Sequence, residues 1–147
     1  CWKRTTSDAF RQAALATLGQ VLTHQGRLIT GNYVSGTNKI GFDCMPDTPA
    51  SSNYEYADWQ TMLTAYKDAR RTTGRTPFRG TAWTEIFVTR NEGRRGVDVV
   101  PSPIANKVKA NRGAFGQNAA VCLANNLGYE TLDILKYFYG DDIKLER

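Results

Sequence analysis

The sequence predicts an α+β domain in which antiparallel β hairpins pack with about four helices. Three observations lead there. Apolar residues recur at helical spacing in one stretch near the start of the chain, one in the middle and two near its end. Between them lie short runs of alternating apolar and polar residues, bounded by Gly, Pro and Asn turn signals. The chain has 147 residues, 41% hydrophobic and 22% charged, which fits one ordered domain over 1–147 with a core of its own and argues against disorder.

The first helix is expected from Ser7-Asp8, an N-cap pair, to Leu18, with Phe10, Ala13, Ala14, Thr17 and Leu18 on one face and Gly19 as its stop. A hairpin follows. Gln20–Thr23 and Arg27–Val34 are its strands, and His24-Gln25-Gly26 is its turn. His24, the only histidine, is expected to be a solvent-exposed turn residue. Residues 41–53, with Cys44, Pro46 and Pro49, read as a loop. Ser52-Asn53-Tyr54-Glu55 has the form of a capping box. The helix it starts runs to about Arg71 and buries Trp59, Met62, Leu63 and Tyr66. Lys67, Arg70, Arg71 and Arg75 make a basic cluster at its end, where positive charge complements the helix terminus.

A second hairpin is expected from Thr81–Arg90, through a turn at Asn91-Glu92-Gly93, to Gly96–Val100. A glycine-rich loop around Gly113 and Gly116 comes next. Ala119, Ala120, Leu123, Ala124 and Leu127 then define a helix that Asn125, Asn126 and Gly128 stop. Leu132, Ile134, Leu135 and Phe138 give the last helix its apolar face.

The net charge of +5 favours anionic surroundings such as cell-wall polymers, nucleic acid or acidic lipid. No zinc-finger spacing, RNA-binding signature or helix-turn-helix pattern stands behind the basic residues, so a nucleic-acid partner is disfavoured. No apolar run approaches the length of a membrane span. The three cysteines are Cys1, Cys44 and Cys122, an odd number that leaves at least one unpaired within a monomer and leaves the pairing open. A chain that starts with Cys1 is expected to be processed or a fragment.

Two stretches, in the same order, resemble the SpoIID/LytB domain family of stage II sporulation protein D. The first is Ala13, Ala16, Thr17, Gly19, Gln20, Val21, Leu22, Thr23, Gly26, Arg27, Ile29, Tyr33 and Ser35, which keep the spacing of a family segment A-x-x-A-T-x-G-Q-V-L-T-Y-x-G-K-x-I-x-A-x-Y-x-S. The second is GQNAAVCLANNLGYETLDILKYFYGD. There Gln117, Ala120, Leu123, Ala124, Gly128, Tyr129, Ile134, Leu135, Tyr137 and Tyr139 lie at or near the matching places, with one inserted residue near Leu127.

The resemblance implies a bacterial, extracytoplasmic domain that acts on peptidoglycan, as a lytic transglycosylase or as an enhancer of amidases. It covers only the later part of the family domain. The family's glutamate, in a segment P-x-E-A-L-K-A-Q-A-V-A-A-R-T-Y-A, has no counterpart here, and the chain is expected to begin after it. Carried over residue by residue, the resemblance makes Tyr33, Ser35, Gly113, Gly116 and Gln117 candidates for lining a glycan cleft; strand packing and turn formation are the competing explanation for each. The family's G-H-G-x-G-M-S-Q loop is degraded, with Asn111 in place of the histidine and Phe115-Gly116 in place of Met-Ser. Cys1 falls where the family has the last cysteine of a zinc-binding motif. One thiolate makes no structural site, so no cofactor is expected unless zinc ligands lie upstream.

Glycan cleavage needs a carboxylic acid of raised pKa at the glycosidic oxygen. Among the glutamates, Glu55 is explained by capping, Glu92 by a turn, Glu130 by a helix start and Glu146 by its place at the chain end. Glu85, on an expected strand among aromatics, is the weak catalytic candidate. The expected partners are glycan strands, together with a second copy of the chain or a missing N-terminal segment of the same protein. The alternative is a non-catalytic extracellular module derived from the fold, which binds or assembles with itself.

Overall fold

The computed structural model describes residues 7–38, 40–44, 68, 71, 72, 84, 85, 87–103 and 108–147. They form an α+β arrangement of two small sheets and three α-helices: α1 (Asp8–Ala16), β1 (Val21–His24), β2 (Arg27–Leu28), β3 (Thr30–Val34), β4 (Asn111–Gly116), α2 (Gln117–Leu127), α3 (Thr131–Tyr139) and β5 (Lys144–Glu146). Three helices rather than about four are seen among the described residues. The expected helix from Ser52 to Arg71 lies outside them except at its end, where Asp68, Arg71 and Thr72 are helical and Thr72 Oγ1 donates to Asp68 O at 2.7 Å. Trp59, Met62, Leu63 and Tyr66 are likewise outside.

The first sheet is antiparallel, in the order β2-β1-β5. Its hairpin turn is two residues long. Gln25 and Gly26 both take positive φ (52° and 71°), the conformation whose twist matches that of the flanking strands. His24 is therefore the last residue of β1, paired with Arg27, rather than part of the turn.

Beyond Ile29, whose N–H still donates to Leu22 O at 3.0 Å, the hairpin does not continue. Thr30–Val34 leaves β1 and pairs parallel with Asn111–Gly116, a correction to the expectation of antiparallel hairpins only. A parallel ladder requires a long crossover, and here it spans the whole middle of the chain. The register runs Thr30↔Asn111, Asn32↔Ala114, Tyr33↔Phe115 and Val34↔Gly116, so β4 carries one extra residue where Arg112 and Gly113 bulge out of the ladder. The expected glycine-rich loop is thus a strand up to Gly116.

The second expected hairpin is absent among the described residues. Thr84, Glu85 and Phe87 lie in a 3-10 turn closed by Val88 N–H to Glu85 O (3.0 Å), and Gly96–Asp98 is a second 3-10 turn. Side chains here replace a ladder. Thr89 N–H donates to Ala114 O (3.1 Å), while Ala114 N–H donates to Thr89 Oγ1 (2.7 Å), a hydroxyl standing where a second strand would offer a carbonyl.

Asn91 does the same for three segments. Fully buried, it donates through Nδ2 to the carbonyls of Val100, Arg112 and Phe138 (3.0, 3.0 and 2.8 Å) and accepts from Val100 N–H at Oδ1 (2.8 Å). Buried backbone groups must find partners, and one amide here serves four of them, its two N–H groups being shared among the three carbonyls. The turn expected at Asn91-Glu92-Gly93 is present, closed by Arg94 N–H to Asn91 O at 2.9 Å.

The core lies where α2 and α3 meet β4. Ala119, Ala120 and Leu123 of α2 and Tyr137, Phe138 and Tyr139 of α3 are buried with Val88 and Ile143, and Phe115 packs on Phe138 with ring centroids 4.8 Å apart. The expected faces hold in part: Ala124, Leu127 and Leu132 are exposed, while Ile134 and Leu135 are half-buried. Gly128 caps α2 in the left-handed conformation, its N–H on Leu123 O. Helix α1 forms but ends at Ala16, before the expected Leu18, and a turn at Thr17–Gly19 follows. The helix and turn remain in solvent, with Ala13, Ala14 and Leu15 of α1 and Leu18 of the turn exposed, and Arg147 reaches the carbonyl of Ala16 (3.3 Å).

Cys44 and Cys122 form a disulfide between the turn at 40–44 and α2, closing 78 residues of sequence. Cys1, the incomplete zinc position, is outside the described residues.

Candidate functional site

Four of the five cleft candidates meet at one edge. The parallel register sets Tyr33 beside Phe115 and Val34 beside Gly116, so both strands of the pair end together. Ser35 follows from β3 and Gln117 opens α2 directly from Gly116. In α/β arrangements this is where ligands enter: beyond the carboxyl ends of parallel strands, beside a helix start. Tyr33, Ser35 and Gln117 are exposed there, and Gly116 is buried beneath them. Gly113 is not part of this surface. It sits in the β4 bulge, enclosed by Thr89, Phe138 and Asn91.

The loop 35–38 is clamped onto α2. Asn118 N–H donates to Ser35 O (3.1 Å), and Asn118 Nδ2 donates to Gly36 O (3.2 Å) and Asn38 Oδ1 (2.7 Å). Beneath the loop, Gly36 N–H donates to Thr84 Oγ1 (2.8 Å), and Thr37 N–H donates to Glu85 Oε1. Gly36 is needed at this point: its φ is +72°, and a Cβ would collide with the Glu85 carboxylate.

Glu85 is fully buried, in a 3-10 turn and not on the expected strand. Its carboxylate oxygen is engaged with backbone, so its role in this geometry is to hold the loop. Proton donation to a surface ligand would require the loop to move away first.

Outside this clamp runs a groove of about 340 Å³ lined by Asn38, Ile40, Asn118, Val121, Cys122, Asn125 and Asn126. Four of its seven residues are asparagines. None of these amides carries charge; Asn118 spends its Nδ2 on Gly36 O and Asn38 Oδ1, and Asn126 turns its Nδ2 toward Cys122 Sγ. The disulfide forms part of its floor through Cys122, and the turn leading to Cys44 bears Phe42, 78% exposed.

A second constellation was not anticipated from the sequence. His24 is half-buried rather than a free turn residue, and its Nε2 lies 3.0 Å from Asp142 Oδ2. Asp142 also accepts from Gly96 N–H (2.8 Å) through Oδ2 and from Arg112 Nη2 through Oδ1. Arg112, with 8% of its side chain exposed, donates through Nε to Tyr139 O at 3.1 Å. Burial opposes ionisation of Asp142, but the Gly96 N–H, the Arg112 guanidinium and His24 outweigh it and hold the carboxyl below its usual range. The only cue in the sequence is the Asp141-Asp142 pair after Gly140, and an acidic pair names no partner.

A group that ionises more readily when folded stabilises the fold above its unfolded pKa. That stability is lost as pH falls through the lower folded value. Asp142→Asn is therefore expected to cost about 3 kcal/mol near neutrality, because it leaves Arg112 buried beside a neutral amide. Urea melts at pH 7 and pH 3 check this. The gap between wild type and variant should shrink at pH 3, and an unchanged gap would show that the carboxylate charge is not what is lost.

Among the described residues no group of three or more His, Cys, Asp or Glu is placed to hold a metal ion, and no helix is long and apolar enough to cross a membrane. Compared with family models, with curated proteins and with solved structures, the chain matches none.

Proposed function

We propose that the chain is an extracytoplasmic, SpoIID-like domain that binds peptidoglycan glycan strands along the edge formed by Tyr33, Ser35, Gln117 and the asparagine groove. The observation that carries this reading is that Tyr33, Ser35, Gly116 and Gln117, drawn from the two family-like segments, meet beside a groove lined by four uncharged amides. Sugar hydroxyls are paired donors and acceptors, which asparagine side chains complement without desolvating a charge. Tyr33, 67% exposed, offers an aromatic face for a sugar ring. The ordered pair of family-like segments and the Cys44–Cys122 bridge, which persists in oxidising compartments, support the same reading. Cleavage as a lytic transglycosylase additionally needs an acid at the glycosidic oxygen, which the enclosed Glu85 does not present, so the reading is one of binding, with cleavage only when an acid is supplied from upstream.

The test is a titration with glycan strands stripped of stem peptides. Wild type is expected to bind, and Tyr33→Ala to bind about tenfold more weakly, a loss of about 1.4 kcal/mol, with an unchanged melting temperature. Mass spectrometry of the same mixtures for 1,6-anhydro ends reads cleavage. Unimpaired binding by Tyr33→Ala removes the proposed edge. No binding by wild type removes the glycan reading and moves the self-assembling module ahead. One observation favours that second reading: Leu15 of α1 and Leu18 in the turn after it are 67% and 73% exposed. It predicts a sedimentation coefficient that rises with protein concentration.

A further inference from the structure

We propose that the cleft between the β1–β2 hairpin tip and the start of β4 is a second binding site, for an oxyanion group (carboxylate or phosphate) of a small polar molecule. It goes beyond the glycan reading and uses none of the residues of the asparagine groove. The cleft has a volume of about 370 Å³, the size of a small-molecule site. His24, Gln25, Arg27, Lys109, Asn111 and Arg112 line it, with Gly96 and Val99 on the opposite wall.

Its charge balance is lopsided. Arg27, Lys109 and Arg112 contribute three cations. Among the described residues the carboxylate bonded to this lining is Asp142, and both its oxygens are already committed: Oδ1 to Arg112, Oδ2 to His24 and the Gly96 N–H. That arrangement fixes Arg112 and His24 in place without neutralising Arg27 or Lys109. A carboxylate oxygen only accepts, so the His24 Nε2 facing Asp142 is the donor of that contact. Arg112 spends Nε and Nη2 on Tyr139 O and Asp142, and among the described residues nothing accepts from its Nη1.

A nearly buried, pre-oriented guanidinium next to two exposed cations is a site for an oxyanion. The fixed group orients the ligand, and the exposed arginine and lysine close on it. A concave, partly desolvated setting strengthens such contacts over those of cations scattered on a convex surface.

The experiment is an NMR titration of the 147-residue chain with inorganic phosphate and, separately, with succinate, at constant ionic strength. The expected result is saturable shifts of the His24 ring and of the Lys109–Arg112 backbone amides with at least one probe, and the stronger probe identifies the group. Arg27→Ala and Lys109→Ala, both at exposed positions, should each weaken binding about tenfold with unchanged circular dichroism. Arg71→Ala is the control. That side chain is 80% exposed on a helix and lines no part of this cleft, so its loss removes the same net charge and should leave the affinity unchanged. Shifts that saturate with neither probe overturn the proposal. So does an Arg71→Ala chain weakened as much as the cleft variants, because binding then follows overall charge and not this site.

Discussion

Gly113→Ala is expected to lower stability by about 4 kcal/mol or more, enough to unfold a domain of ordinary marginal stability. Gly113 has φ of +129°, a conformation that costs an L-residue about 1–3 kcal/mol by itself. An alanine Cβ would also lie 2.5 Å from Phe138 O and 2.8 Å from Asn91 Nδ2, and would collide with Thr89 Oγ1. Two of these are the groups that replace a strand ladder, so relieving the clash disrupts Asn91 and Thr89 together. Gly31→Ala is the control. A Cβ there meets nothing within 4 Å and its φ is not in the left-handed range, so its effect should stay within about 0.5–1 kcal/mol. Urea denaturation of both variants decides the matter. Equal, small losses would mean that the bulge relaxes without cost.

Opening the Cys44–Cys122 disulfide is expected to destabilise the chain by about 4 kcal/mol, because the bridge closes 78 residues and thereby restricts the unfolded ensemble. A functional consequence follows. The bridge ties the turn leading from Asn38 and Ile40 to α2, and both sides line the asparagine groove. Glycan binding should therefore weaken on reduction before global unfolding. The measurement is a denaturant midpoint and a binding isotherm, each with and without reductant, on the Cys44→Ala/Cys122→Ala chain alongside wild type. Coincident midpoints for oxidised and reduced wild type would show that the bridge adds nothing to stability.

The residues proposed for the edge came from the family resemblance, which rests on two segments with strong local signals. Tyr33 and Ser35 end an alternating run, and Gly116-Gln117 open a helix marked by alanines and leucines. What brings these two stretches side by side is the β3–β4 pairing, whose partners are more than 80 residues apart. No single-sequence pattern states which strands pair, or in which direction. Gly113 shows the limit from the other side. The same glycine signal reads as an exposed loop or as a buried bulge, and only the side chains packed over it decide. His24 and Asp142 were separable in sequence and joined in space, 118 positions apart. Glu85 read as a strand residue from alternation, yet its carboxylate turns inward to accept from the Thr37 N–H, while the neighbouring Gly36 N–H goes to Thr84 Oγ1.

Elements whose cause is local can be read directly from the order of residues. These are α1 with its serine-aspartate start, the Gln25-Gly26 turn, α2 with its Gly128 stop, α3 with its apolar face, and the turn at Asn91–Gly93. Spacing, capping and positive φ act over a few residues and leave a visible pattern. The tertiary structure alone decided the parallel ladder, the pairing of Cys44 with Cys122, the burial of Asn91, Glu85 and Arg112, and the cationic cleft around His24. Each of these depends on which distant groups supply hydrogen bonds or charge once water is excluded, and that balance is struck only when the segments meet.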